Sequence, residues 1–537
     1  MIIDNVRLYQ PFKKKSKDGI FHVKLDEQGY IENLIEGRSP EQNEHVYDAK
    51  ERVMTASFTD SHLHFLRYGL MKSELDLRHV TSWDEMKREV AEFYPQMEEE
   101  DWIVGRGLND GQFEDIDHLL TGKDLDEIHL DKKMFFLHQD GHECVVNQKV
   151  LDLLKEEDDF EGIPDDFKET NDDGQWNGRF KDTAVHYIKR HFRGRSVENA
   201  KEAILSGIPH LLRHGITTIH TEDLNFIGSF EKLWNAYTQL EKEERLPIRV
   251  YLHHYLFNIN DITNYLEHFS LRSGEGTDKV KVGAFKIFLD GTQRLHTSAL
   301  RMAYRDKPDT AGNLVYTQEE LNEMVRLAAE NNMQVAMHAI GDRAVEQAII
   351  ALEQDEARTS KLHHRIIHAQ TLGEDLLKRL EKLKPYIETQ PSFLMGEWDK
   401  KAKWVGEDLA PYCDAFGSLL RHGIPITLSS DAPIGELNPL EGIFAAVNRT
   451  NKDQEPENGW MPQEKLTVDQ AFNGYTFVPA EMEFTSKYKG KLEEGFLADF
   501  ILLDHHPLEV EPKDLRQLRV CETWMNGKRV YSKKEDE

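Results

Sequence analysis

Cysteine is scarce in this chain. Among 537 residues there are three, Cys144, Cys413 and Cys521, and long stretches of sequence separate them. A disulfide-stapled scaffold or a thiolate metal site needs several cysteines at short spacing, so the sequence predicts neither. This cysteine usage is typical of a reducing compartment, and we expect a cytoplasmic protein.

A long uninterrupted apolar run is also lacking. No segment approaches the roughly 18 apolar residues that a membrane-spanning helix requires. The first residues, Met1 to Tyr9, carry Asp4, Asn5 and Arg7 within their apolar stretch, which is not the pattern of a secretory signal peptide. We therefore expect neither secretion nor membrane insertion, and no membrane partner.

Positive charge is in deficit. The chain has 67 Lys and Arg against 97 Asp and Glu, which gives a formal net charge of -30. Such a protein repels phosphate backbones and anionic lipid surfaces, so nucleic acid is not expected as a partner. The ordinary interpretation of this charge is a solvated acidic surface, and an electrostatic function is the alternative.

What is present is an alternation of strand-like and helix-like runs. A chain of 537 residues is too long for one ordinary core, so we expect a large domain with appended modules. Helix-like runs separate several of the strands, among them 318–330, 344–354 and 375–383. The alternation predicts an α/β fold of the TIM-like (β/α)8 barrel type. The strand-like runs are 53–59, 215–220, 248–255, 280–288, 334–338, 364–368, 385–390 and 424–429.

The chain supplies eight barrel strands only if a large insertion follows the first strand and is left out of the barrel. We place the barrel in residues 56–484 and the insertion at about 70–200, because such a length exceeds any ordinary barrel loop. Two interpretations of the insertion remain open, a lid over the substrate and a separately packed decoration. The flanking residues, 1–55 and 485–537, show short strands with polar turns.

Residues with metal-ligand or proton-transfer chemistry follow the apolar strands. His62 and His64 are spaced by two at the end of the first run, so both imidazoles leave the same face of a strand. Active sites in such barrels lie at the C-terminal ends of the strands, which places these residues on the catalytic face. The alternatives are a core histidine pair, a snorkelling Lys286 or one paired with Asp290, and an Asp431 that caps a turn. The later residues of this kind are Lys286, His338, His368 and Asp431.

Several motifs occur in an order that resembles one known family. The chain is similar, nearly from end to end, to the amidohydrolase superfamily and in particular to amidohydrolase family 3, which includes N-substituted formamide deformylases. No single motif carries this resemblance, but their shared order does. The motifs are Asp60-Ser-His-Leu-His64, Phe285-Lys-Ile-Phe-Leu-Asp-Gly291, His338-Ala-Ile-Gly-Asp342, Arg365-Ile-Ile-His-Ala-Gln370, Ser430-Asp-Ala-Pro433 and Ala498-Asp-Phe-Ile-Leu-Leu-Asp504.

The resemblance implies a binuclear metal site. His62, His64 and Asp431 would hold the first of two divalent ions, expected to be zinc, and His338 and His368 the second. Lys286 would bridge them after reaction with carbon dioxide to a carbamate. Asp431 would also move the proton while a metal-activated hydroxide attacks an amide-type C–N bond. The resemblance further implies that both termini form one small β-sandwich.

Other histidines are candidates for contact with the substrate. His142, in Asp140-Gly141-His142, resembles a family motif at the mouth of the site and is our second catalytic candidate; a turn histidine is the alternative. His220, which follows the second strand, is a candidate for lining the pocket, with an ordinary polar strand end as the equal alternative. His296 and Asp290 are also candidates, and they lie in a segment, 290–299, where relatives carry smaller residues. The best-known substrates of the family therefore cannot simply be assigned to this protein.

Several functions remain open at this stage. An amide substrate, whether N-formyl, N-acyl or cyclic, is our first expectation. Lactone or phosphate-ester hydrolysis and deamination use nearly the same ligands, and a mononuclear enzyme with an unmodified lysine is a close variant. A non-catalytic binding protein is a further alternative, which the intact ligand set disfavours. Many relatives self-associate, so the resemblance implies a homo-oligomer as one alternative for the assembly.

Overall fold

The structure is a computed structural model of the whole chain. It describes residues 1–11, 19–41, 45–70, 74–94, 102–128, 131–156, 160, 162–189, 191 and 196–533.

A parallel barrel forms the centre of the molecule. Within the described residues its eight strands are hydrogen-bonded side by side in chain order, from the first to the last. The strands are Phe58–Leu63, Ile216–Glu222, Arg249–Tyr255, Val280–Phe288, Val335–Ala339, Arg365–His368, Tyr386–Thr389 and Ile426–Leu428. Almost every residue in them is buried, as expected for a parallel sheet covered on both faces.

The barrel is nearly closed between its last and first strands. Regular strand pairing does not join them among the described residues, but hydrogen bonds at their ends do. The Ser61 hydroxyl donates to the Thr427 hydroxyl oxygen across 2.8 Å. The backbone N–H of His64 donates to the carbonyl oxygen of Ala432, also across 2.8 Å. The fold therefore agrees with the predicted TIM-like barrel.

One predicted strand is divided between two sheets. The run 53–59 was expected to open the barrel, but Val53–Ala56 pairs with a C-terminal strand, and the barrel strand is Phe58–Leu63. A single apolar run can supply two short strands, and hydrophobicity alone does not show where one sheet ends. The other seven predicted strands agree with the structure to within two residues at each end.

Helices surround the barrel and pack through their apolar sides. The helix predicted at 318–330 is found as Gln318–Glu330, and its N-cap Thr317 accepts a hydrogen bond from the Glu320 backbone N–H. Most of the remaining helices are also amphipathic. The helices are Phe65–Leu70, Trp83–Phe93, Gly122–Asp126, Gln148–Lys155, Asp182–Lys189, Val197–Arg213, Leu224–Ile227, Phe230–Lys242, Ile259–His268, Gln318–Glu330, Asp342–Glu353, Glu356–Leu362, Glu374–Leu383, Pro391–Glu397, Lys401–Val405, Phe416–Arg421, Pro439–Asn448, Val468–Tyr475 and Phe477–Met482.

The two ends of the chain meet in one mixed sheet. Val53–Ala56 and Phe500–Leu503 are antiparallel neighbours, with Ala56 opposite Phe500. Buried apolar side chains from both ends share a common core beside this sheet. The predicted pairing of the termini is therefore found as a sheet. Its strands run in the order Lys528–Ser532, Val520–Met525, Phe500–Leu503, Val53–Ala56, Ile2–Leu8, Phe21–Leu25 and Ile31–Glu36, and Val46–Asp48 pairs with Ile2–Leu8.

The insertion between the first two barrel strands has a sheet and hydrophobic cores of its own. The turn between two of its strands, Lys133–His138 and Glu143–Val146, carries Asp140 to His142 to the catalytic face. The insertion is therefore separately packed and also contributes to the site. Its strands run in the order Lys168–Thr170, Trp176–Lys181, Glu143–Val146, Lys133–His138, Trp102–Leu108 and Leu75–Asp76. The parts of the predicted insertion at 71–73, 95–101, 129–130, 157–159, 161, 190 and 192–195 lie outside the described residues.

A search of the described helices for a membrane span found none that combines sufficient length with sufficient apolar character.

Candidate metal centre

The predicted metal ligands converge at the C-terminal ends of the barrel strands. All six line one small cavity of about 20 Å³. One ligand atom from each of His62, His368 and Asp431 lies within 4.8 Å of the others, a spacing that a single ion can bridge. The six residues are His62, His64, Lys286, His338, His368 and Asp431.

The two histidines of the first strand face the same carboxylate. His62 Nε2 lies 3.4 Å and His64 Nε2 3.3 Å from Asp431 Oδ1, and the two ring centroids are 5.5 Å apart. Their common side agrees with the period-two argument from the sequence. A positive φ of 55° at Asp431 and of 73° at His368 turns the chain sharply where each strand ends. Such backbone conformations are uncommon outside glycine and concentrate at functional sites.

Each histidine has a polar neighbour for its second ring nitrogen. His64 Nδ1 lies 2.8 Å from the Glu222 carbonyl oxygen, and His368 Nδ1 lies 2.6 Å from Gln390 Oε1. These partners fix the ring orientation and leave Nε2 for a metal, the arrangement usual for metal-binding histidines. The corresponding neighbours of His338 and His62 are more distant. His338 Nδ1 lies 3.3 Å from Asp290 Oδ1, and His62 Nδ1 lies 3.9 Å from Glu388 Oε2.

The electrostatics of the cavity favour the metal-binding protonation states. Burial lowers the pKa of His62 and of His338 well below the ordinary value, and that of His368 to about 3. These imidazoles are therefore neutral at neutral pH, which is the form that binds a metal. Burial opposes ionisation of Asp431, but the attraction of the His64 imidazole, 3.3 Å away, outweighs this and holds the pKa of Asp431 below the usual range.

Lys286 is fully buried and lines the cavity. Its Nζ has no hydrogen-bond partner among the described residues and is 4.7 Å from the centroid of the Phe288 ring. Burial lowers its pKa to about 8. Asp431 Oδ1 and both ring nitrogens of His338 are likewise buried without a partner in the described structure. Buried polar atoms are almost always satisfied, so this set fits metal ions and a modified lysine.

The insertion contributes His142 to the same cavity. Its Nδ1 lies 2.9 Å from Asp182 Oδ1, and its ring centroid is 6.3 Å from that of His338. Asp182 has a φ of 43° and also accepts a hydrogen bond from the Thr297 hydroxyl. His142 therefore lines the same cavity as the predicted ligands. Sequence reasoning missed Asp182, because nothing in the sequence connects positions 142 and 182.

Asp290 supports the site from outside and does not line either cavity of the catalytic face. It is fully buried, and its carboxylate accepts hydrogen bonds from the backbone N–H groups of Ala299, Ile340 and Gly341. The sequence predicts that Asp290 contacts the substrate. In the structure its oxygens accept hydrogen bonds from these backbone donors and so hold two strand-end loops together beside His338.

His220 also lies away from the substrate space. It is fully buried inside the barrel, stacked on Tyr251, with Nε2 2.8 Å from Glu483 Oε2 and Nδ1 2.8 Å from Arg365 Nη1. Arg365 in turn donates to Glu388 Oε1 across 3.1 Å. The sequence predicts a substrate contact for His220, but the structure does not place it among the residues that line the cleft or the small cavity. His220 belongs to a buried charge network that ends beside His62.

His296 is likewise not among the residues lining the substrate space of the described structure. Its Nε2 lies 3.0 Å from Asp306 Oδ1, and its ring meets Tyr304 edge-on at 4.8 Å. Both partners belong to the loop after the fourth barrel strand. The structure therefore places His296 in an internal contact of this loop, and its predicted substrate role stays a prediction.

A cleft of about 950 Å³ opens above the small cavity. It shares His142, His368 and Ile434 with that cavity, so a substrate in the cleft reaches the candidate ligands. Its wall combines apolar groups, including Phe393 and Leu437, with charged ones such as Arg294 and Glu397. Arg294 forms an ion pair with Asp140, which connects the barrel loop to the insertion.

Sequence reasoning also missed three residues beside the ligands. Arg67 and His186 line the small cavity, and Glu388 faces His62 from the seventh strand. Arg67 follows His64 closely and could have been noticed as a charge within an apolar segment. His186 gives no such signal, because its position depends on how the insertion folds back.

Comparison with known proteins agrees with this geometry. The family model described as "Amidohydrolase family" matches residues 45–531. The putative amidohydrolase YtcJ of Bacillus subtilis (strain 168) is 32% identical over 486 residues, which cover 90% of this chain and 89% of that protein. The N-substituted formamide deformylase of Arthrobacter pascens is 22% identical over 511 residues, which cover 91% of this chain and 90% of that protein.

A solved structure shares the fold. The crystal structure of an uncharacterized metal-dependent hydrolase from Pyrococcus horikoshii OT3 aligns with a TM-score of 0.74 and 26% identity, and the alignment covers 95% of this chain and 98% of that one. The family match spans most of the chain, including every candidate ligand. The chain belongs to the amidohydrolase family, in the family 3 branch that its motifs indicate.

Proposed function

We propose that this protein is a metal-dependent hydrolase that cleaves an amide-type C–N bond in a small molecule. The observation that supports this most strongly is the convergence of four imidazoles, one lysine and one carboxylate on a single buried cavity. His62, His64 and Asp431 would hold one divalent ion and His338 and His368 a second, with zinc as the expected metal. Imidazole and carboxylate ligands are typical of catalytic zinc.

Lys286 would bridge the two ions as a carbamate. Its burial lowers the pKa of the ammonium to about 8, so a useful fraction of neutral amine exists near neutral pH. The neutral amine is the nucleophile that reacts with carbon dioxide. The absence of any hydrogen-bond partner for Nζ among the described residues supports this assignment, since an unmodified ammonium there would be costly.

Bound metal would supply the Lewis acidity that makes water reactive near neutral pH. The chain itself would handle the protons. Asp431 stays ionised in the resting site, so it can accept the proton of the attacking water and return it to the departing nitrogen. His142, oriented by Asp182, stands at the opening of the same cavity and would contact the substrate carbonyl or its developing charge.

A C–N bond as the target is supported by one relative, which is named an N-substituted formamide deformylase. An amine is a poor leaving group unless it is protonated, and Asp431 is suited to deliver that proton. We retain a cytoplasmic location, a homo-oligomeric state and a terminal β-sandwich as parts of the proposal.

A metal and substrate experiment tests this function. The purified protein, loaded with zinc in bicarbonate buffer, should contain close to two ions per chain and hydrolyse at least one compound in a panel of N-formyl, N-acyl and cyclic amides. Lactones, phosphate esters and aminopyrimidines test the alternative reactions in the same assay. His368→Asn should lose metal and activity, whereas the matched variant His296→Asn, outside the cavity, should keep both. Full amide hydrolysis by rigorously metal-free protein would overturn the proposal.

A further inference from the structure

Arg67 is a buried cation that the proposed chemistry does not use. It lies in the helix Phe65–Leu70, directly after the first metal strand, and its residue is 6% exposed. Its side chain lines the small cavity together with His64, His142 and Asp431. The guanidinium therefore faces the space in which the substrate reacts.

No carboxylate of the described residues forms an ion pair with Arg67. Its Nε is buried without a hydrogen-bond acceptor among the described residues. The centroid of the Phe226 ring lies 6.0 Å from Cζ. Burial lowers its pKa to about 10, so the group is still charged at neutral pH. A buried charge without a counter-ion is costly, and proteins keep such a group where a ligand completes it.

The acidic side chains near Arg67 have other partners. Glu74 attracts Arg67 through space, but Glu74 Oε2 also lies 3.6 Å from Arg106 Nε. Asp431 attracts Arg67 as well, and we assign that carboxylate to a metal ion. Neither carboxylate forms an ion pair with Arg67 in the described structure, which leaves the guanidinium available to a ligand.

The Asp-Gly-His turn is built to pass directly over this guanidinium. Gly141 has a φ of 79°, and a Cβ on it would lie 3.0 Å from both Nη1 and Nη2 of Arg67 and 2.3 Å from Ile434 Cδ1. A side chain at this position would therefore displace Arg67. The glycine keeps the planar fork of the arginine open on the side of the cavity.

We infer that Arg67 binds a carboxylate of the substrate, so that the preferred substrates are amides carrying a carboxylate close to the scissile bond. The inference rests on the proposed function and specifies its substrate class. The guanidinium fork matches the two oxygens of a carboxylate, which gives both energy and orientation. Because Arg67 and the metal ligands share one small cavity, the carboxylate must lie within a few bonds of the amide.

A carboxylate explains Arg67 better than the scissile carbonyl oxygen does. A neutral amide would leave the guanidinium without a counter-ion in the enzyme–substrate complex. A substrate carboxylate would form an ion pair with the guanidinium already in the enzyme–substrate complex. The two roles also differ in kinetics, since loss of a ground-state contact raises KM for one substrate, and loss of a transition-state contact lowers kcat for all substrates.

Two compounds that differ only in the carboxylate test the inference. N-formylphenylalanine and N-formylphenethylamine share the scissile bond and an aromatic ring that fits the apolar wall of the cleft. Zinc-loaded protein should prefer N-formylphenylalanine. Arg67→Met should lower kcat/KM for that compound by about 10- to 100-fold, mainly through KM, because a hydrogen-bonded charge pair is removed. The value for N-formylphenethylamine should change by less than about threefold on the same argument.

Arg272→Met is the matched control. It removes an arginine whose guanidinium donates to the carbonyl oxygens of Phe269 and Leu271 and which lines neither the cleft nor the small cavity, so the preference for the carboxylate should persist. Arg67→Lys keeps the charge without the fork and should give an intermediate preference. If Arg67→Met does not fold, this lysine variant still tests the geometry of recognition.

Binding without turnover separates this inference from the proposed function. Isothermal titration with 3-phenylpropanoate, which has no amide to cleave, should show saturable binding to the metal-loaded protein and weaker binding to Arg67→Met. If neither formamide is hydrolysed but this difference is found, the proposed reaction fails and the carboxylate site stands. An equal loss of kcat on both formamides, or unchanged 3-phenylpropanoate binding in Arg67→Met, would overturn the inference.

Discussion

The backbone N–H of Asp431 donates a hydrogen bond to the carbonyl oxygen of His62 across 2.8 Å. This bond connects the end of the last barrel strand to the first strand, where regular pairing is not found among the described residues. It also fixes the distance between two side chains that would hold the same ion, since His62 Nε2 lies 3.4 Å from Asp431 Oδ1. The same hydrogen bond therefore helps to close the barrel and to hold His62 and Asp431 close enough to share an ion.

Asp431→Asn should separate metal binding from catalysis. The five other ligand side chains remain, so most of the metal should be retained, as measured by elemental analysis. The amide cannot take up or deliver a proton, so turnover of an amide with a poor leaving group should fall by at least ~10²- to 10⁴-fold. A substrate with a good leaving group should be affected less. Near-normal turnover on the poor substrate at unchanged metal content would show that another group, such as His142, moves the proton.

Lys286→Ala should abolish binuclear metal binding. The strand would lose the group that we assign to bridging the ions, so metal content should fall towards one ion per chain or less, together with activity. Formate or acetate, added as a short carboxylate, should restore part of both by occupying the vacated space. The control is Lys201→Ala, which removes another buried lysine that pairs with Glu198 and Glu243 and does not line the cavity. Retention of two ions and full activity in Lys286→Ala would contradict the bridging role.

Glu388→Gln should weaken metal binding without removing a ligand. Glu388 Oε2 is fully buried, has no hydrogen-bond partner among the described residues and lies 3.9 Å from His62 Nδ1. We expect it to orient His62 in the metal-loaded protein, and loss of such a partner typically costs about 10- to 100-fold in metal affinity. Competition with a chelator of known affinity measures this directly. Unchanged affinity would limit Glu388 to its ion pair with Arg365.

Asp182→Asn should reduce turnover while preserving the metal content. Its carboxylate lies 2.9 Å from His142 Nδ1 and fixes the orientation of that ring, whereas neither residue is assigned to a metal. We therefore expect loss of activity on every amide tested, and the double variant with His142→Asn should be no worse than His142→Asn alone. Additive losses in the double variant would show that Asp182 acts elsewhere, for example through Thr297.

Acidification should destabilise the metal-free protein. Burial lowers the pKa of His368 from 6.5 to about 3, so between these values the unfolded chain binds a proton that the folded chain does not. Stability linked to this group is therefore present above pH 6.5 and is lost as the pH falls towards 3. Urea unfolding at a series of pH values should show this loss. His368→Asn should flatten the dependence, and the exposed control His505→Asn should leave it unchanged.

Much of the fold could be predicted from the sequence because its signals are local. Period-two spacing placed His62 and His64 on one face, and the apolar runs around Lys286 and His338 identified barrel strands to within two residues. The order of these residues along the chain also identified the family. The division of the run 53–59 between two sheets was not local, because it depends on pairing with residues 500–503.

Only the tertiary structure decided which of the remaining polar residues face the reaction space. His142 and His220 look alike as histidines near strand ends, yet one lines the cavity and the other is enclosed by Arg365 and Glu483. Arg67 became a candidate only when its lack of a counter-ion was visible. The sequence by itself determined which elements form and which residues end them, since both follow from local spacing. Burial and pairing between distant segments decided which charges face the substrate, and no local pattern encodes them.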